Sequence, residues 1–156
     1  MEQQMNLSEL NTVSEVELIY KNKVKPSERP VVKSSKECYE LLSSTWNQNK
    51  IEFVEQFKVI LLNRAQRVLG IYELSTGGVA GTVADTKLVF TSALKANACK
   101  IILTHNHPSG NLKPSMEDEQ ITKRMATAGI YLDIKVIDHL IITSEGYFSF
   151  ADEGLL

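Results

Sequence analysis

Cysteine, net charge and long apolar runs are all in short supply in this chain, and each shortage excludes something. The 156 residues hold two cysteines, Cys38 and Cys99, far apart and in no Cys-x-x-Cys pair. A disulfide framework is therefore not expected, and both thiols read as reduced, buried small hydrophobes of a cytoplasmic protein. Formal net charge is −2, from 17 basic and 19 acidic residues, so no global positive field draws the chain to nucleic acid. No uncharged apolar run approaches the length that spans a bilayer. Met1-Glu2-Gln3-Gln4 is neither basic nor followed by an apolar segment, so no signal peptide is expected. What is present, 43% hydrophobic and 23% charged residues, suits one globular domain with a real core.

Histidine is nearly as scarce, with three residues, yet two of them stand at alternate positions directly after the apolar run Ile101-Ile102-Leu103. In a strand, residues two apart point to the same side, so His105 and His107 can present imidazoles to one point. Pro108, Gly110 and Pro114 make the next segment a turn. Ser115 and Asp118 follow at helical spacing. Two imidazoles and a carboxylate suit zinc, and three protein ligands leave a fourth position for water, the mark of a catalytic site. Residue chemistry alone leaves this open, because a histidine is more often an ordinary core or surface residue than a ligand. Ser115 and Asp118 are also what a helix N-cap and its first turn look like. The two readings are compatible.

In chain order, residues 1–12 read as a polar arm, and the alternation of Val16, Leu18 and Tyr20 with charged neighbours predicts a half-buried strand. Lys21 to Pro30, with two prolines and four basic residues up to Arg29, reads as a solvated loop. Ser34 and Glu37 resemble a capping box, with an amphipathic helix over about 35–49 presenting Cys38, Leu41, Leu42 and Trp46. Strands are expected at 53–62 and 68–74, with the pair ending at Gly77-Gly78. Asp85 is expected to cap a helix reaching Ala98, with Phe90, Ala93, Leu94 and Ala98 toward the core. A short strand at 100–104 would deliver the two histidines, and a helix over 115–128 would end at Gly129. Closing strands are expected at 132–137, 139–143 and 147–150. Strands alternating with helices imply an α/β or mixed α+β sandwich.

His105-x-His107-Pro108, six residues, then Ser115-x-x-Asp118, resembles the motif of the JAB/MPN (JAMM) metalloprotease superfamily. The longer string His105-Asn106-His107-Pro108-Ser109-Gly110 looks like its bacterial RadC-like branch. Phe57 to Asn63, Asp138-His139 and Tyr147 to Phe150 agree with it in order, so the resemblance covers roughly 35–156. It implies a mixed central sheet flanked by helices, related to that of the zinc deaminases, although their Cys-x-x-Cys ligand pair is missing here. Residues 1–34 would form an N-terminal arm and 35–156 the domain. His105, His107 and Asp118 would bind zinc, with water in the fourth place.

The resemblance further assigns Glu55, in Val54-Glu55-Gln56-Phe57, as general base and then general acid, with Glu52 as its main competitor and Glu73 a weaker one. Ser115 would donate to the oxyanion of a tetrahedral intermediate, and His139 would be structural or would orient a ligand. The implied reaction is zinc-dependent hydrolysis of a peptide or isopeptide bond, with a peptide or protein substrate. A DNA-repair-associated or nucleic-acid-processing metalloprotein and a non-catalytic interaction domain stand as alternatives. Longer RadC-like proteins carry a helix-hairpin-helix region ahead of the domain. The residues before position 35 are too few for it, so the metal domain is expected alone. Oligomeric state is left open.

Overall fold

The structure, a computed structural model, describes residues 14, 16, 17, 19–77 and 83–156. Its framework is a five-stranded mixed sheet with helices on both faces, as the resemblance implies. In chain order the elements are α1 (Ser35–Thr45), β1 (Gln56–Leu62), β2 (Val68–Thr76), α2 (Thr86–Lys95), β3 (Lys100–Asn106), α3 (Met116–Tyr131), β4 (Lys135–Ile142) and β5 (Tyr147–Ser149). Across the sheet the order is β2-β1-β3-β4-β5. Among the described residues only β3 and β4 pair in parallel, and α3 makes the crossover that a parallel pair requires.

β1 is buried along its whole length, which is why its sequence is apolar without clean alternation. Phe57, Val59 and Leu61 pack with Ile101 and Leu103 against Val89, Phe90 and Ala93 of α2 and Met125 of α3. Ile60 and Leu62 face the other way, with Ile102, Leu140 and Ile142, onto Cys38, Leu42 and Trp46. Both cysteines are free; Cys38 is buried within this second core, but Cys99, just before β3, is only partly buried, not buried as expected. Among the described residues no helix is long and apolar enough to cross a membrane.

Several boundaries differ from expectation for identifiable reasons. α1 starts where Ser34 Oγ accepts the Glu37 N–H at 3.1 Å, but Glu37 Oε2 reaches the Lys33 N–H instead of closing a box. The helix stops at Thr45, not at 49, because Ser44 and Thr45 hydroxyls bond back to the Leu41 carbonyl and Asn47 Oδ1 takes the Asn49 N–H in a local turn. That turn holds Phe53, which is exposed, so β1 begins only at Gln56. α2 ends at Lys95, three residues short of Ala98, and Leu94 is exposed where a core position was expected. Asn97 adopts φ 54°, and the Ala98 and Asn97 N–H groups close on the carbonyls of Ala93 and Leu94, the double bond of a Schellman stop.

α3 runs past Gly129 to Tyr131 and stops by the same motif, with Asp133 at φ 54° and the Ile134 N–H on the Gly129 carbonyl at 2.9 Å. Gly129 is not the stop; it lets the next strand approach, since a Cβ there would lie 2.2 Å from the Ile134 carbonyl oxygen. The two closing strands expected at 132–137 and 139–143 are one strand, β4. Asp138, which breaks its apolar pattern, is buried and held by Ser149 Oγ–H and the N–H groups of Ala151 and His139. The strand expected around Val16 to Tyr20 is not formed: Val16, Glu17, Ile19 and Tyr20 lie outside any strand and are exposed. Leu18, Gly78 and residues 1–12 lie outside the described residues.

Candidate metal centre

β3 continues to Asn106, two residues beyond expectation, so His105 sits inside the sheet, opposite Phe57 of β1 and Ile141 of β4. The His107 N–H still bonds to the Ile142 carbonyl at 3.0 Å, which keeps the chain extended and both imidazoles on one side. Gly110, at φ 83°, then closes a turn onto the His107 carbonyl. Asp118 enters from the first turn of α3. Ser115 Oγ accepts the Asp118 N–H at 3.1 Å, and Asp118 Oδ2 accepts the Ser115 N–H at 2.7 Å, a complete capping box. The cap and the ligand geometry thus coexist, the first aiming the carboxylate of the second.

One ligand-capable atom from each of His105, His107 and Asp118 lies within 4.8 Å of the others. The two Nε2 atoms are 3.0 Å apart, His105 Nε2 is 3.2 Å from Asp118 Oδ1, and His107 Nε2 is 3.6 Å from Asp118 Oδ2. Tetrahedral zinc with bonds of about 2.0–2.1 Å would separate neighbouring ligand atoms by about 3.3 Å, and the three distances bracket that value. The nitrogens behind them are occupied: His107 Nδ1 meets the Asn111 carbonyl at 2.6 Å and His105 Nδ1 meets His139 Nε2 at 2.9 Å. Two ring nitrogens and a carboxylate converge on one point, a donor set that could hold a cation among them. The residues fit the metal.

Electrostatics agree. Burial alone would push the Asp118 carboxyl up, but hydrogen bonds from His105 and His107 hold it well below the usual carboxylate range. Its bond to Asp118 raises His107, against the opposing effect of burial. His139, fully buried, is held well below the usual imidazole range by burial and by the neighbouring His105.

Glu55 precedes β1, half-buried. Burial raises its carboxyl above the ordinary value; His105 and His107 pull it down, and Asp118 and Glu117 push it up. It therefore sits in the field of the cluster. Glu52, its competitor, lies in the exposed turn before β1, where its carboxylate accepts from Ser144 Oγ at 2.7 Å. Glu73 is committed elsewhere, to Gln56 Nε2, Thr76 Oγ1 and, at 4.0 Å, Lys58 Nζ. Asp138 accepts the His139 main-chain N–H at 2.7 Å, while the His139 ring bonds to His105 and Thr122.

Two participants have no signal that sequence reasoning detected. Asn106, fully buried between the histidines, accepts the Gln56 N–H and donates to the carbonyls of Ile51 and Val54. It clamps the segment carrying Glu55. Thr122 bonds the His139 ring at 2.6 Å, and its position one helical turn after Asp118 is the only feature that could have drawn attention to it.

A family model described as the RadC-like JAB domain matches residues 32–155. A "UPF0758 protein" of Flavobacterium johnsoniae is 52% identical over 101 residues, covering 65% of this chain and 44% of that protein. Another, from Porphyromonas gingivalis, is 48% identical over 103 residues (65% and 45%), and one from Thermotoga maritima 42% over 102 (65% and 46%). The chain thus spans about half the length of the curated relatives it matches. With the motif, the fold and the family match in agreement, this chain belongs to the RadC-like JAB domain family.

Proposed function

We propose that the chain is a zinc-dependent hydrolase of peptide or isopeptide amide bonds, acting on a peptide or protein. The observation that carries this reading is the convergence of His105 Nε2, His107 Nε2 and the Asp118 carboxylate, one oxygen near each imidazole, with both Nδ1 atoms engaged elsewhere. These three residues would hold the ion, which when bound supplies a water acidified to a pKa near ~7. Glu55 would be the proton acceptor beside the ion and then the proton donor to the leaving amine nitrogen; its raised carboxyl suits a base that must also act as an acid. Ser115 Oγ accepts the Asp118 N–H, so its own O–H is left to donate to the carbonyl oxygen as negative charge develops there. The free cysteines and the lack of a spanning helix among the described residues agree with a cytoplasmic setting.

The test begins with metal content by elemental analysis. About one zinc per wild-type chain, and little in His107→Ala and Asp118→Ala, is the expected result. A peptide and isopeptide library then screens for chelator-sensitive cleavage that Glu55→Gln abolishes. Cleavage at the wild-type rate by Glu55→Gln would defeat the assignment.

A further inference from the structure

The two ligand imidazoles are held from behind in different ways. His107 Nδ1 faces a main-chain carbonyl, Asn111 O, an acceptor that has only one role. His105 Nδ1 faces another imidazole nitrogen, His139 Nε2, which could donate or accept. Direction has to come from farther back, and Thr122 supplies it. The Thr122 hydroxyl donates to the main-chain carbonyl of Asp118 at 2.6 Å, the bond a helical threonine makes to the residue four before it. Its single proton is used there. Facing His139 Nδ1 at 2.6 Å, the same oxygen can only accept, so His139 carries its proton on Nδ1. His139 Nε2 is then bare and accepts from His105 Nδ1–H.

We propose that Thr122 and His139 are positioning residues of the metal centre. A one-way chain of hydrogen bonds from the Asp118 carbonyl holds a proton on His105 Nδ1, so that Nε2 is the nitrogen turned toward the metal position. Reversing the chain would turn Thr122 away from Asp118 and aim an Nε2 proton of His105 into the point where the ligands converge. The circuit is closed, since Asp118 supplies both the carbonyl that starts the chain and the carboxylate 3.2 Å from His105 Nε2. One helical turn of α3 therefore sets the position of one ligand and the tautomer of another. Water does not compete with the chain: His139 is fully buried, its ring stacked on Phe150 at 4.8 Å and flanked by Phe57 at 5.7 Å.

The inference rests on the hydrolase reading for its purpose, while the bond chain belongs to the metal-free protein and is measurable there. Two-bond nitrogen–proton spectra of histidine-labelled, metal-free wild type should show His105 protonated on Nδ1. Thr122→Val, which removes the hydroxyl and little volume, should show a mixture of His105 tautomers and bind zinc about 10- to 100-fold more weakly in a chelator competition. Thr122→Ser, which keeps the hydroxyl, should match wild type in both. A His105 without a proton on Nδ1 in wild type overturns the proposal, as does zinc affinity equal in the Val and Ser variants. Should Thr122→Val not fold, the wild-type spectrum and the Ser variant decide alone. His105 protonated on Nδ1 in a wild type that takes up no zinc would sustain the chain of bonds and sink the hydrolase reading instead.

Discussion

Asn106 accepts the Gln56 main-chain N–H at 2.7 Å, joining the residue between the two histidines to the residue after Glu55. Its amide also donates to the Ile51 and Val54 carbonyls, so one buried side chain makes two bonds to the loop that carries the proposed base and one to the strand residue that follows it. Replacing it by Ala leaves those main-chain groups without partners, which should cost about 1–3 kcal/mol in a denaturant melt. Against a cleavable peptide, kcat should fall while KM and bound zinc stay near wild type, because a misplaced base affects chemistry more than binding. Wild-type stability in Asn106→Ala would show that the clamp is idle.

Zinc should stabilise the fold. Free zinc at about a thousand times its dissociation constant adds about 4 kcal/mol to a native state that alone binds it. Thermal melts should therefore rise on loading, fall again with chelator, and show neither change in Asp118→Ala. A rise in that variant equal to wild type would place the ion elsewhere.

Gly129 and Gly70 make a matched pair. A methyl at Gly129 meets the Ile134 carbonyl oxygen at 2.2 Å, whereas a methyl at Gly70 meets nothing within 4 Å. Gly129→Ala should lower stability by about 1–3 kcal/mol through overpacking, and Gly70→Ala should stay within about 0.5 kcal/mol. Equal effects would mean that α3 and β4 shift apart freely.

Cys38 gives a pH dependence with a defined sign. Burial, and then the charge of Asp138, push its thiol from 9.0 up to about 12. Between those values the unfolded chain releases a proton that the folded chain keeps. The contribution is therefore fully present below pH 9.0 and is lost as pH rises toward 12. The slope should approach about 1.4 kcal/mol per pH unit within that window and be shallower in Cys38→Ala. Thiol reagents should modify Cys99 first and Cys38 only on unfolding; prompt native-state labelling of Cys38 would contradict its burial.

Much of the site was legible because its chemistry is local. His105 and His107 share a side through the two-residue period of a strand, and Ser115 to Asp118 is both a capping box and the approach of a carboxylate, all within fifteen residues. The apolar stretch at 53–62 read as a buried strand from its composition, and residues 56–62 of it form one. Helix ends were less legible: Asn97 and Asp133 take the left-handed position usually held by glycine, while the actual glycine at 129 serves a close approach. Val16 to Tyr20 shows that alternation alone does not make a strand, since the described residues there find no ladder partner.

The sequence by itself determined which side chains could bind a metal and where the main strands and helix starts lie, because strand periodicity and capping act over a few neighbouring residues. Tertiary structure decided which glutamate stands in the field of the histidines, and that Asn106 holds its loop. It also decided that His139 answers to Thr122 rather than to Asp138. Those partners come from β1, β3, β4 and α3, and hydrogen bonds between separate elements depend on how the sheet orders its strands, which no local pattern encodes.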